Sequence, residues 1–129
     1  MNLERIVIFS AAAFFLLYGI AFSILPGDMA LLITGSEPRG ESALVDFRAT
    51  YGGTTMAVGL ALLYLFSIEQ PRACLVIVII VLMSMASTRA IGLFVDGPGN
   101  FLMTLYLVFE LLGSALAAIA MRNRSRAQE

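Results

Sequence analysis

Three ionisable side chains, Arg48, Arg89 and Glu110, fall within stretches that are otherwise rich in apolar residues. A charge at the centre of a bilayer costs roughly 2.5–3.5 kcal/mol on insertion scales, so each such group needs a partner, a wet cavity or a ligand. Two guanidinium groups could hold an anionic group, and a desolvated carboxyl could act as a general acid or base, or as a proton relay. Depth separates the three. Arg48 stands about four residues, roughly 6 Å, inside one apolar stretch, and Arg89 about six residues, roughly 9 Å, from the end of the next. Either side chain can snorkel to the surface. Glu110 stands about ten residues, roughly 15 Å, into the last stretch, too deep for its short stem to escape.

Helical spacing gathers further polar groups around them. Arg48, Gly52, Thr55 and Gly59 share one face, Leu82, Met85, Arg89, Gly92 and Asp96 a second, and Met103, Tyr106, Glu110, Gly113 and Ala117 a third. These faces are expected to converge on an outward-facing polar cluster of Asp46, Arg48, Tyr51, Thr55, Arg89, Asp96, Tyr106 and Glu110, with Met85 in its lining. A further helix carrying Ala11, Phe15, Tyr18 and Gly19 would close it. The plainer alternative is that Arg89 pairs with Glu110 or Asp96 only to hold helices together, with Arg48 as an interfacial anchor.

The elements that must position these residues follow from composition. Of 129 residues, 60% are hydrophobic and 13% charged, against about a quarter charged in a soluble domain. A bilayer core of about 30 Å needs about 20 apolar residues of helix, and four stretches qualify: residues 6–25, 43–67, 73–95 and 101–121. The expected fold class is all-α, an integral membrane four-helix bundle forming one domain over 1–129. The first stretch ends at Pro26-Gly27 and is too long for the apolar region of a cleaved signal peptide. Ser42 is a plausible cap for the second, and the tail from Arg122 to Arg126 should fray. The connection 26–42 reads as an outer loop with a short interfacial helix over 28–34, capped by Asp28. One side of the membrane receives Arg5, Arg72, Arg122, Arg124 and Arg126, and the other side's loops only Arg39, which predicts both termini in the cytoplasm.

Composition also removes chemistries. The chain has no histidine and one cysteine, Cys74. Zinc, haem and iron-sulfur ligation, a Ser-His-Asp triad and an internal disulfide are therefore not expected, and no metal or other cofactor is assigned. A formal net charge of −1 leaves no basic footprint for nucleic acid. The expected partners are the lipid bilayer, a small ligand or lipid, and further copies of the chain in a homo-oligomer.

The run Asp46-Phe47-Arg48-Ala49-Thr50-Tyr51-Gly52-Gly53, followed by Arg89-Ala90-Ile91-Gly92, Asp96-Gly97-Pro98 and Glu110, resembles domain of unknown function family 4345. The resemblance covers nearly the whole chain and implies a small four-helix protein of the bacterial inner membrane, without implying an activity. A looser similarity to DoxX-like four-helix membrane proteins implies a redox-linked or accessory role. The residues themselves favour a membrane module that binds a small amphipathic or anionic ligand, or a partner, at the polar cluster. The alternatives are a membrane enzyme acting on a lipid or quinone-like substrate through Glu110, and a proton-coupled small-solute transporter working as an oligomer.

Overall fold

The computed structural model of the protein describes residues 2–126, and among them every regular element is helical. Helix α1 spans Leu3–Ile24 and stops where Pro26 lacks the N–H and the space that a further turn would require. The same proline opens α2, Pro26–Thr34, because its fixed φ suits the first helical position. The short helix thus starts two residues earlier than its expected Asp28 cap, with no side chain capping it. Gly35 ends it in the left-handed conformation, φ 77°, donating its N–H to the carbonyl of Leu31.

The next span is one continuous helix, Glu41–Ser67. It is built from α3, Glu41–Phe47, a wide π-helical turn over Arg48–Gly53, and α4, Thr54–Ser67. It begins after Gly40 without a side-chain cap, so Ser42 lies inside the helix rather than at its cap. Helix α5, Pro71–Val95, again opens on a proline, and α6, Phe101–Arg126, follows the glycine-rich turn after Asp96. The tail expected to fray is helical through Arg126. Arg124 Nη1 donates to both carboxylate oxygens of Glu4, at 2.9 and 2.8 Å, and so ties the end of α6 to the start of α1.

Two helix pairs pack most closely, α1 with α4 and α5 with α6. Small residues make the first approach possible. A Cβ on Gly59 would stand 3.0 Å from the carbonyl oxygen of Ala12, and one on Gly19 would stand 2.7 Å from the backbone nitrogen of Met56. In the second pair a Cβ on Gly113 would meet the tip of Leu82 at 2.7 Å. Ile8, Ala12, Phe15, Leu62, Leu75, Val78 and Ala117 form the main core between the pairs. A smaller cluster of Phe22, Ala30 and Ile33 seats α2 on the rest, and Asn100 Nδ2 reinforces it by donating to the Ile33 carbonyl at 2.8 Å.

Much apolar surface stays outside. Phe94 is 91% exposed and Leu17 69%, an arrangement that water would penalise. Among the described residues four helices are long and apolar enough to cross a membrane: α1, the composite Glu41–Ser67, α5 and α6.

Candidate functional site

Because α1 leans onto α4, and α6 onto α5, the remaining contact between α1 and α6 is incompletely filled. There a crevice of about 480 Å³ runs from Leu3 at the start of α1 to Tyr18 and Tyr106 at its far end. Phe15 and Val78, both 1% exposed, form part of its floor. Its rim includes Ile6, Phe14, Phe109 and Leu116, each between 41% and 59% exposed, so the opening faces sideways between helices. The walls are apolar along most of their length, and the polar lining is concentrated at one end.

That end holds Arg89 of α5 and Glu110 of α6. Arg89 Nε lies 3.1 Å from both carboxylate oxygens and Nη2 lies 2.7 Å from Oε1, so the carboxylate is gripped from one edge of the guanidinium. The two side chains are 20% and 6% exposed. Nη1 donates to the thioether sulfur of Met103 at 3.3 Å, and the guanidinium carbon sits 5.3 Å from the centre of the Tyr106 ring, within cation–π range. Tyr18 completes the polar end from α1, its ring stacked with Phe14 at 5.6 Å and tilted against Phe22 at 4.9 Å. Thr55 lines the same space, while its hydroxyl is engaged by the carbonyls of Tyr51 and Gly52 one turn earlier in its own helix.

The expected eight-residue cluster is therefore divided. Arg89, Tyr106, Glu110 and Thr55 line one crevice together with Met85, and the other four lie elsewhere. Arg48 donates to the carbonyls of Ser23 and Ile24, the latter at 3.2 Å, and so caps the end of α1 instead of meeting Arg89. Asp46 is exposed and accepts from the Thr50 hydroxyl at 3.4 Å. Tyr51 is 46% exposed and stacks on Phe47 and Phe22, with ring centres 4.9 and 5.1 Å away. Asp96 is exposed at the end of α5, its backbone N–H bonded to Gly92, about two turns beyond Arg89. For the residues of the second span the cause is its small-residue face: Gly52 and Gly59 dock on α1, at Ser23 and at Ala12 and Leu16, so Arg48 is carried to the end of α1.

Two contributors fall outside the expected cluster. Tyr18 occupies the same depth as Arg89, each about six residues or roughly 9 Å from the end of its helix, and that shared depth is the signal that identifies it. Met103 stands on the Tyr106 and Glu110 face, but nothing in its residue type announces that its sulfur accepts from an arginine.

The family model described as Domain of unknown function (DUF4345) matches residues 3–121. The chain belongs to that family. No curated protein and no solved structure matches it. The crevice, from Leu3 to Leu116, lies entirely within the matched segment.

Proposed function

We propose that this is a multi-pass protein of the bacterial inner membrane, a four-helix bundle with both termini in the cytoplasm, that takes a long-tailed amphipathic molecule from the bilayer into the crevice between α1 and α6. The observation that carries this reading is the union of one polar end with one long apolar wall. From Leu3 to Tyr18 the crevice follows α1 for about 22 Å at 1.5 Å per residue, more than one leaflet's share of a core about 30 Å thick. A volume of about 480 Å³ lies within the range usual for small-molecule sites. The exposed rim of Phe14 and Phe109 offers entry from the side, where a membrane-dissolved molecule is concentrated.

The orientation rests on the arginines. Arg5, Arg72, Arg122, Arg124 and Arg126 lie towards the end at which Glu4 meets Arg124, and positively charged loops are retained on the cytoplasmic side. Binding is favoured over proton transfer because Glu110 already shares both oxygens with Arg89, leaving no free carboxyl to act as acid or base.

Photolabelling with a diazirine-bearing hexadecanol in proteoliposomes tests the reading. Adducts mapped by mass spectrometry should concentrate on the crevice rim and walls, at Ile6, Phe14 and Phe109. An even spread over all apolar outer surfaces, Leu17 and Phe94 included, would remove the proposal.

A further inference from the structure

We infer that the ligand's polar end is an uncharged carbonyl-type oxygen, as in a ketone, ester or quinone, and not an anionic head. This deepens the crevice reading and rests on it. A guanidinium carries five N–H donors. Nε spans the two Glu110 oxygens, one Nη2 hydrogen goes to Oε1, and one Nη1 hydrogen goes to a thioether sulfur, a weak acceptor. Among the described residues the other hydrogen on each terminal nitrogen has no acceptor.

The two phenols point the same way. Neither the Tyr18 nor the Tyr106 hydroxyl has a hydrogen-bond partner among the described residues, and no side-chain nitrogen or oxygen there is sealed from space without one. Both hydroxyls therefore keep some accessible surface, and both residues line the polar end of the crevice. That end offers donors from three helices, α1, α5 and α6.

Charge decides what those donors can take. Arg89 is already neutralised by Glu110, so the polar end carries no net charge. An anion added there would leave one uncompensated negative charge beside a pair whose residues stand about 9 Å (Arg89) and about 15 Å (Glu110) from the ends of their helices, and a cation one positive charge, and either is costly away from water. A neutral acceptor uses the spare N–H and O–H groups at no such cost. The depth agrees, since charged and zwitterionic heads stay at the bilayer surface whereas a carbonyl can reach further in. The expectation that Arg89 holds an anionic group is replaced by this one.

Three competitors sharing a hexadecyl tail, a methyl ketone, a sulfonate and a trimethylammonium, tested against the diazirine-bearing hexadecanol in proteoliposomes, separate the possibilities. The ketone should protect the crevice adducts at about tenfold lower mole fraction than either charged probe, the effect of hydrogen bonds to a charged donor. In the Arg89→Met, Glu110→Leu double variant that preference should fall to about twofold or less while tail-driven labelling persists, since net hydrogen bonds of this kind are what it removes. Tyr18→Phe with Tyr106→Phe, which keeps both rings, supplies the same test should the double variant fail to fold, and should lower the ketone preference alone. A sulfonate or a trimethylammonium that protects as well as the ketone overturns the inference and leaves the crevice reading standing. Protection by none of the three overturns the crevice reading itself.

Discussion

Arg89 grips Glu110 through the Nε edge of its guanidinium, 3.1 Å from each carboxylate oxygen, and keeps Nη1 turned towards the sulfur of Met103. The pair is held from one side of the guanidinium, and both residues line the crevice. Removing either partner strands the other's charge at the same depth. Arg89→Met and Glu110→Leu, made singly, should each destabilise the protein by about 3 kcal/mol or more, and together should recover most of that loss. Thermal unfolding in detergent micelles reads this directly. A double variant no more stable than the singles would mean that the pair does more than satisfy itself.

Gly59 and Gly113 should answer the same substitution differently. In Gly59→Ala the new methyl meets the backbone of Ala12 and Leu16, which cannot yield, so α1 and α4 must separate at a cost of about 1–3 kcal/mol. In Gly113→Ala it meets only the tip of the Leu82 side chain, which also lines the crevice. That variant should keep near wild-type thermal stability while Leu82, displaced, reduces crevice labelling by the hexadecanol probe. Equal destabilisation by both substitutions would contradict the packing described.

The native thiol provides a silent background for a topology test. Cys74 is fully buried, with its thiol facing the Leu62 carbonyl at 3.4 Å, so it should resist an impermeant maleimide. On intact cells Glu37→Cys should be labelled, and Asn123→Cys only after permeabilisation. The reverse pattern would invert the proposed orientation.

Arg124→Ala should act locally. The pair with Glu4 is partly exposed, 33% and 18% for the two side chains, and pairs of this kind contribute about 1 kcal/mol or less. Overall stability should therefore barely move. Hydrogen exchange should nevertheless quicken over the last turn of α6, where that clasp is the tie to another helix. Unchanged exchange there would show that the helix end is held by its own backbone.

The four long helices were legible because apolar runs of this length have one physical outcome, and the faces of α5 and α6 were legible because 3.6-residue spacing fixes which side chains share a side. Arg89, Glu110 and Tyr106 came together on that basis. Spacing does not say which neighbour a face meets. The face that carries Gly52 and Gly59 docks on α1, and with that one choice Arg48, Asp46 and Tyr51 left the site. The π turn at Arg48–Gly53 has no clear residue signature, and the helical tail is tied by a pairing of Arg124 with Glu4, far apart in sequence, that no local rule contains. Pro26 announces a helix end by its missing N–H, and its fixed φ lets the same residue start α2, where Asp28 offers the more familiar capping side chain.

The two close helix pairs described above also dictate an order of assembly. Each joins spans that follow one another in the chain, α1 with α4 and α5 with α6. Such hairpins are made of local contacts, whose closure is entropically cheap, and each can form as soon as its second span has been synthesised. The α1–α6 junction is the contact between the first and last spans, and must wait for the final helix. The crevice is thus the last surface the protein completes during its biogenesis, and until then its apolar walls lie bare to whatever the surrounding membrane supplies.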